Sequence, residues 1–295
     1  MLEPIEYRVK SRGFYMVPQP GARNRAQWLY HCVGSARCGP SVFCQHYGCH
    51  QMNAECRNAS FVRKSPENPV RPVKAVIFDF DGTLVDSEPN YYVSDRAMML
   101  SYGIDLTEEL KREFIGVGAV QMMQVLRQRF GIAAPVSELV RIKDEFYLRQ
   151  SVGNTVAYPQ MWRLVRTLHA AGIPMAVASG STPMVLDTLM VETGLRPYFS
   201  AVVSASEVPR SKPFPDIFLE AARRLGVESA DAAVFEDAVL GVRAGLAAGM
   251  RTCAIPGFPE DDLAPAYLDA DLLFPGGMSF FSADVAMEWL GVPHP

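Results

Sequence analysis

From residue 73 onward, short runs of apolar residues alternate along the chain with longer stretches of helical periodicity. The apolar runs are four to six residues long, which is typical of strands buried on both faces of a parallel sheet. In the longer stretches, apolar residues recur three and four positions apart, and a glycine follows each stretch where a helix commonly ends. The predicted strands are 73–78, 174–178, Ala201–Ser204, 232–235 and 252–255, and the predicted helices between them are 159–171, 182–193, Asp216–Leu225 and 238–248.

This alternation of strands and helices predicts the fold class. It indicates a parallel sheet with helices on both faces, so we expect an α/β, Rossmann-like, doubly wound core. Ligands of such sheets bind at the carboxyl ends of the strands. Candidate functional residues should therefore directly follow the predicted strands.

Residues 88–155 interrupt the alternation with four helical patterns and no clear strand. Because this insertion comes directly after the first strand, it should lie over the ligand-binding end of the sheet as a cap that excludes water and selects the substrate. We therefore predict a core formed by residues 73–87 and 156–295 and a helical cap formed by residues 88–155. The predicted helices of the insertion are 90–102, 107–115, Ala119–Phe130 and Val136–Ser151.

Residues 1–72 form a different kind of sequence, without sustained helical or strand periodicity. They carry 10 basic and 4 acidic residues, whereas the remaining residues carry 18 and 28, and they hold five of the six cysteines. We predict a poorly ordered basic extension. Zinc binding is disfavoured because no CxxC pair occurs, and disulfides because no signal peptide is recognisable. A transit peptide and a translation start placed too far upstream stay open as alternatives.

The composition of the whole chain excludes several classes of protein. Hydrophobic residues make up 49% of the chain and charged residues 20%, with a net charge of −4, which is ordinary for a globular protein. No apolar run approaches the ~20 residues of a membrane-spanning helix. The acidic balance gives no reason to expect binding to nucleic acid. We expect a cytoplasmic monomer whose partners include neither a membrane nor a nucleic acid.

Acidic residues follow the first and the fourth of the predicted strands. Asp79 and Asp81 are two positions apart, so on a continuing strand their side chains would point the same way and repel each other. A magnesium ion would remove this repulsion, because Mg²⁺ prefers oxygen ligands. Asp237 supplies a third carboxylate from another strand. The sequence therefore predicts a magnesium site at the carboxyl edge of the sheet.

Residues suited to binding a phosphoryl group follow the strands as well. Gly82 permits a tight turn whose backbone N–H groups can face an anion. Lys212 and Ser179 supply a cation and a hydroxyl, which are usual partners of phosphoryl oxygens. Ser179 could instead cap the helix that begins near Pro183. Together with the acids, these residues predict metal-assisted phosphoryl transfer.

Four ordered motifs resemble those of the haloacid-dehalogenase-like hydrolases. They are DFDGT at 79–83, VASGS at 177–181, SKPFPD at 211–216 and FEDAVLGVRAG at 235–245. The sequence DSE at 86–88 and the helical insertion resemble the branch that holds β-phosphoglucomutase and many small sugar-phosphate phosphatases.

The resemblance implies a catalytic role for each matching residue. Asp79 would be the nucleophile that forms an aspartyl-phosphate. Asp81 would protonate the leaving oxygen and then deprotonate the attacking water. Ser179 and the Gly180 N–H would bind the phosphoryl group, and Lys212 would stabilise the charge on nucleophile and phosphate.

The resemblance also implies a set of ligands for Mg²⁺. The carboxylate of Asp79, the backbone carbonyl of Asp81 and the side chain of Asp237 would hold the ion. Glu236 would act on it through a bound water.

Within the family, the residues favour a phosphomonoesterase that acts on a small phosphorylated metabolite such as a sugar phosphate. Dehalogenases lack the second acid, Asp81. Phosphonoacetaldehyde hydrolases need a cap lysine, and neither Lys111 nor Lys143 lies in a matching pattern. The mutase places cations around a cap glycine, which Gly116 lacks. Tyr91 replaces the histidine often found after the DSE motif. A β-phosphoglucomutase-like phosphotransferase is the alternative; a non-catalytic binding or regulatory protein is disfavoured, because every essential acid is present.

Overall fold

The structure is a computed structural model that describes residues 72–257 and 264–292 and the short segments 31–32, 42–43 and 61–63. The chain divides into two units, Met1–Ser65 and Pro66–Pro295. In the first unit, β1 (His31–Cys32) pairs antiparallel with β2 (Val42–Phe43), and β3 covers Val62–Arg63. The predictions for the basic extension and its cysteine side chains lie outside the described residues.

The second unit is built on a parallel sheet. The strands of this second unit are β4 (Ala75–Phe78), β5 (Val85–Asp86), β6 (Val156–Ala157), β7 (Met175–Ser179), β8 (Ala201–Ser204), β9 (Ala232–Glu236), β10 (Arg251–Ala254) and β11 (Leu272–Leu273). Within this unit six strands form the sheet in the order β11–β10–β9–β4–β7–β8, and each neighbouring pair is parallel. Each of the five predicted strands is present within two residues of its predicted limits, which confirms the doubly wound α/β class.

Helices connect the strands as the periodicity predicts. They are α1 (Glu88–Leu100), α2 (Glu108–Arg112), α3 (Ala119–Phe130), α4 (Val136–Ser151), α5 (Pro159–Ala170), α6 (Pro183–Glu192), α7 (Asp216–Leu225), α8 (Val239–Ala247), α9 (Pro265–Asp269) and α10 (Ala283–Leu290). The prediction for 107–115 was too long, because only one helical turn forms there before the chain continues in turns. In the part of the chain that is described, no helix is long and apolar enough to cross a membrane.

The core forms because the central strands carry small and apolar residues on both faces. Every residue of β4, β7 and β9 is buried. One face packs Ile77 and Val234 against Phe218 of α7. On the other, the rings of Phe78 and Phe235 stack with centroids 5.1 Å apart, and Phe235 meets Trp289 of α10 edge-on. Burial on both faces holds the ends of these strands in fixed positions.

The four helices of the insertion lie between β5 and β6, which pair antiparallel with each other. Val85 pairs with Ala157, and Asp86 pairs with Val156. The chain therefore enters the insertion and returns from it at the β5–β6 pair. The insertion has its own apolar cluster, which includes Met98, Met99, Phe114, Met122, Met123, Leu126 and Leu139.

Strand order reverses around β4, which places this strand at the switch point of the sheet. After β4 the chain continues through β7 and β8 on one side and then returns to β9, β10 and β11 on the other. The end of β4 is thus flanked by the ends of β7 and β9, and ligands of doubly wound sheets bind at such a point. Asp79 is the first residue after β4.

Candidate active site at the carboxyl edge of the sheet

The site residues predicted from the sequence line one cavity at the carboxyl ends of β4, β7 and β9. The cavity has a volume of about 70 Å³ and is closed over by residues of the insertion. The core residues around it include all the predicted ones: Asp79, Asp81, Ser179, Gly180, Lys212, Glu236 and Asp237.

Asp79 and Lys212 form a buried ion pair at the centre of this cavity. The Asp79 backbone N–H donates to the carbonyl of Phe235 at 3.0 Å, which fixes the start of the turn after β4. The Lys212 Nζ donates to the carboxylates of Asp79 and Glu236. Burial alone would lower the pKa of Lys212, but the two carboxylates raise it above its ordinary value, so the side chain is a permanent cation. Burial raises the pKa of Asp79, against the pull of Lys212.

Glu236 holds both Lys212 and the start of α8. One carboxylate oxygen accepts from Lys212, and the other accepts from the backbone N–H of Ala238 at 2.9 Å. A carboxylate is favoured there because the first N–H groups of a helix lack partners within it. Both oxygens thus have protein partners, so the geometry favours a role in holding Lys212. The role in binding a metal-bound water stays a prediction.

Gly241 of α8 gives the Glu236 carboxylate its space. A Cβ at this position would lie 1.8 Å from Glu236 Oε1, where no real contact can exist. We expect Gly241→Ala to displace Glu236 and with it Lys212, and to lower kcat by about tenfold or more. Steady-state kinetics measure this loss.

The matched control for Gly241→Ala is Ala247→Gly, on the exposed side of the same helix. It removes helix propensity worth about 1 kcal/mol but touches no site residue. The control should lower the melting temperature and leave kcat unchanged. Wild-type turnover in Gly241→Ala would contradict the assigned contact.

Asp237 follows β9 and packs against the turn that carries the first motif. The Thr83 hydroxyl donates to Asp237 Oδ1 at 3.0 Å, and the Tyr267 hydroxyl donates to the Asp237 carbonyl at 2.6 Å. Gly82 has a φ of 80°, and a Cβ there would lie 2.3 Å from Asp237 Oδ2. Only glycine satisfies both constraints. Burial, followed by repulsion from Glu236 and Asp79, raises the pKa of Asp237.

Asp81 is surrounded by hydroxyl groups. Ser181 Oγ donates to its Oδ2 at 2.7 Å and Ser179 Oγ at 3.2 Å, while the Tyr91 and Tyr147 hydroxyls each lie 3.3 Å from one of its oxygens. Ser179 Oγ also accepts from the backbone N–H of Ser181 at 3.0 Å. The alternative that Ser179 caps the next helix is wrong, since α6 has Thr182 at that position and no side-chain cap.

The insertion contributes side chains that the sequence analysis did not identify as site residues. Tyr91, Lys111 and Lys143 line the cavity, and so does Ser181 of the core. The sequence carries a signal for Lys143. Leu139, Lys143 and Tyr147 are four positions apart, so they share one face of α4, and a lysine within a buried face is unusual.

Lys111 and Lys143 share one buried acid, Asp95 of α1. Asp95 is 1% exposed, and its two oxygens lie 2.9 Å from Lys111 Nζ and 3.3 Å from Lys143 Nζ. Burial would raise the pKa of Asp95, but the two lysines bring it below its ordinary value. Both Nζ atoms also lie over the ring of Tyr91, at 5.0 and 4.5 Å from its centroid.

Direct contacts hold the insertion against the core around the cavity. The Ala119 N–H donates to the Gly180 carbonyl at 3.2 Å, and Thr182 Oγ1 donates to Asp144 Oδ2 at 2.5 Å. The cavity therefore lies between the insertion and the core, and residues of both line it.

The donor set at the cavity fits a magnesium ion. Asp79 and Asp237 are both buried and repel each other. A cation bound by both would offset the energetic cost of burying two negative charges and of their repulsion. Among the described residues, no three side chains of acid, histidine or cysteine come together closely enough to enclose a metal by themselves. The Asp79 and Asp237 carboxylates, the Asp81 carbonyl and water molecules would form a ligand set that Mg²⁺ commonly takes.

Comparisons with known proteins agree with the fold and the motifs. The YqaB fructose-1-phosphate phosphatase of Escherichia coli (strain K12) is 34% identical over 175 residues, which cover 59% of this chain and 92% of that protein. A bifunctional riboflavin kinase/FMN phosphatase of Arabidopsis thaliana is 31% identical over 74% of this chain, and the chain spans 56% of that relative's length.

A solved structure and a family model also match the fold and the motifs of this chain. The structure of a CbbY mutant from Rhodobacter sphaeroides in complex with xylulose-(1,5)bisphosphate matches 71% of this chain and 99% of its own, with a TM-score of 0.61 and 26% identity. The model of the haloacid dehalogenase-like hydrolases matches residues 76–255, which include all four motifs. The chain therefore belongs to the haloacid dehalogenase-like hydrolases, in the branch that contains sugar-phosphate phosphatases and β-phosphoglucomutase-like proteins.

Proposed function

We propose that this chain is a magnesium-dependent phosphomonoesterase that acts on a small phosphorylated metabolite through an aspartyl-phosphate. The observation that carries the proposal is the buried Asp79–Lys212 pair, at the switch point of the sheet and in one cavity with Asp81 and Asp237. The named phosphatases among the relatives support the same reaction type.

Asp79 is the nucleophile in this proposal. One of its oxygens forms a bond to phosphorus as the bond from phosphorus to the ester oxygen breaks. Asp81 gives a proton to the departing oxygen, then takes one from the water that hydrolyses the aspartyl-phosphate. Lys212 contacts Asp79 directly and lowers the pKa of that carboxyl group against the larger effect of burial.

Ser179 and Gly180 at the end of β7 bind the phosphoryl group. Ser179 Oγ donates to Asp81 in the closed cavity, so a phosphoryl oxygen would compete for this hydroxyl. Lys212 supplies a fixed positive charge on the other side. Donors held in place before the reaction stabilise the charge that develops in the transition state.

Asp79, Asp237 and the Asp81 carbonyl are the groups that would hold Mg²⁺. When bound, the ion neutralises charge on the phosphoryl oxygens and on the nucleophile. Glu236 would contribute through a bound water, in addition to its contact with Lys212.

Activity should require Mg²⁺ and should be inhibited by Ca²⁺. Removing the metal with EDTA takes away the cation that would neutralise charge on the phosphoryl group, so turnover of p-nitrophenyl phosphate should fall to background and return on adding Mg²⁺. Ca²⁺ takes longer bonds and more ligands, about six to eight, so it should occupy the site without supporting turnover. Full activity in excess EDTA would remove the metal from the mechanism.

A small substrate suits this cavity, because residues of the insertion line one side of it. The phosphoryl group would bind at the core side, and the rest of the ester would lie against the insertion. Residues 88–155 therefore act as the cap in this proposal. A sugar phosphate is the favoured class, as in the name of the fructose-1-phosphate phosphatase relative.

A phosphotransferase of the β-phosphoglucomutase type is the second candidate, and one observation favours it. No cation lies beside Gly116 in the sequence, yet the structure brings Lys111 and Lys143 to the cavity from other helices of the insertion. Two cap cations could face the second phosphate of a bisphosphate. Their pairing with Asp95 reduces this charge, so hydrolysis stays the first candidate.

One assay separates the candidates. The purified protein is incubated with Mg²⁺ and a panel of sugar phosphates, and both inorganic phosphate and isomerised sugar phosphate are measured. A phosphatase releases inorganic phosphate, a mutase moves the phosphate within the sugar, and a non-catalytic protein does neither. Asp79→Asn is the control for contaminating phosphatase.

A further inference from the structure

Two tyrosines of the insertion stack on each other and present their hydroxyls to the same carboxylate. Tyr91 of α1 and Tyr147 of α4 have ring centroids 3.8 Å apart and planes inclined by 6°. Both rings are buried. The hydroxyl of Tyr147 lies 3.3 Å from Asp81 Oδ1, and that of Tyr91 lies 3.3 Å from Oδ2.

The two oxygens of Asp81 have unequal surroundings. Oδ2 is within hydrogen-bond distance of three hydroxyls, those of Ser181, Ser179 and Tyr91, and Tyr91 also contacts Ser181. Among the described residues, Tyr147 is the one side chain that donates to Oδ1. Oδ2 is therefore the anchored oxygen, and Oδ1 keeps a lone pair free to face a substrate.

We infer that Tyr91 and Tyr147 are positioning residues that orient the carboxyl group of Asp81 toward the ester oxygen. The inference rests on the proposed function of Asp81 as the acid and base of the reaction. Two hydroxyls on opposite oxygens resist rotation of the carboxyl group, and an acid acts only when its proton is aimed at the leaving oxygen.

The tyrosine pair is itself held in place by a charged cluster formed by Lys111, Lys143 and Asp95. Lys143 Nζ lies 4.5 Å from the centre of the Tyr91 ring and 5.5 Å from that of Tyr147, and Lys111 Nζ lies 5.0 Å from that of Tyr91. Cations over aromatic faces attract the ring, most strongly where water is excluded. Asp95 fixes both lysines in turn.

Both tyrosines belong to the insertion, whereas Asp81 belongs to the core. Movement of the insertion away from the sheet would withdraw both hydroxyls from Asp81. Orientation of the acid is thereby coupled to closure over a bound substrate, so that the acid is aimed only when water is excluded.

Tyr147→Phe and Tyr91→Phe test the inference, because each removes one hydroxyl and keeps the stacked ring. Tyr102→Phe is the matched control, since Tyr102 packs in the apolar cluster of the same insertion. For each variant, kcat/KM is measured with p-nitrophenyl phosphate, whose leaving group needs no proton, and with fructose 1-phosphate, whose leaving alkoxide does. Up to formation of the aspartyl-phosphate, only the second ester depends on an aimed acid.

We expect Tyr147→Phe to lower kcat/KM for fructose 1-phosphate by about tenfold or more and that for p-nitrophenyl phosphate by less than about threefold, because positioned proton transfer contributes about 10²–10⁴-fold. Tyr102→Phe should change neither. Equal losses for both esters, or none, would overturn the inference. A wild-type protein that hydrolyses neither ester would instead refute the proposed function.

A second measurement does not depend on activity. The unfolding midpoints of Tyr147→Phe, Asp81→Asn and the double variant form a cycle in which contacting residues give non-additive changes. Non-additive shifts support the contact between Tyr147 and Asp81. Additive shifts contradict that contact and overturn the inference.

Discussion

Asp79→Asn should reduce kcat to less than about one per cent of the wild-type value, an increase in the barrier of more than ~2.7 kcal/mol. The amide is close to the carboxylate in shape but is a far weaker nucleophile, and the buried Lys212 keeps its second partner, Glu236. Turnover of p-nitrophenyl phosphate with saturating Mg²⁺ measures the loss. An exposed acid changed in the same way, Asp187→Asn, should retain full activity.

The same substitution should stabilise the metal-free protein. Burial places the pKa of Asp79 well above its ordinary value of 3.8, so folding disfavours the charged form. Stability that the protonated Asp79 contributes is lost as the pH rises from 3.8 through the raised pKa. The neutral amide does not undergo this loss, because it has no proton to release.

Melting temperatures measured in EDTA test whether Asp79→Asn stabilises the metal-free protein. Above pH 3.8, the margin by which Asp79→Asn exceeds the wild type should grow with pH until the pH has passed the raised pKa of Asp79. Saturating Mg²⁺ should reduce the margin, since the cation favours the carboxylate. A variant that is inactive but less stable than the wild type at every pH would show that Asp79 supports the fold rather than nucleophilic chemistry.

The sequence predicted the core because its signals are local. Strand β8 is a short run in which three of four residues are buried, and the predicted limits of Ala201–Ser204 agree with the structure. The residues after each strand, Asp79 and Asp237 among them, converge because parallel strands place their ends at one edge. Both were therefore identified from chain position alone.

The arrangement over the site depends on partners far apart in the chain. Val85 and Asp86 form a strand only through pairing with residues 156 and 157, and two residues carry no periodicity. Tyr91 and Tyr147 meet because α1 and α4 pack together, which no pattern within either helix specifies. Tyr91 was recognised only as a replacement for histidine, and its contact with Asp81 required the three-dimensional structure.

Asp95→Leu should be the most destabilising single substitution considered for the insertion. Asp95 neutralises Lys111 and Lys143, whose side chains are only 12% and 5% exposed. Its removal leaves two buried cations without this partner, and breaking a buried pair costs about 3–5 kcal/mol. The melting temperature should therefore fall by about 6–20 °C for a unit of this size.

Asp105→Asn is the control for Asp95→Leu. Asp105 pairs with Arg96 of the same helix α1, but both side chains are about half exposed. Exposed pairs contribute little to stability, so this variant should melt close to the wild type. Comparable losses in the two variants would show that burial of the charged cluster does not matter.

A compensated variant gives the sharper test of the cluster. Asp95→Leu combined with Lys111→Met and Lys143→Met removes all three charges and leaves apolar side chains of similar length. A buried charged cluster replaced by apolar residues is often neutral or stabilising, so most of the lost melting temperature should return. Turnover of fructose 1-phosphate should not return with it, because Tyr91 loses the cations that hold its ring, and its hydroxyl contacts Asp81. A triple variant as unstable as Asp95→Leu alone would show that Asp95 acts through packing, and one with full turnover would show that the lysines are not needed to place Tyr91.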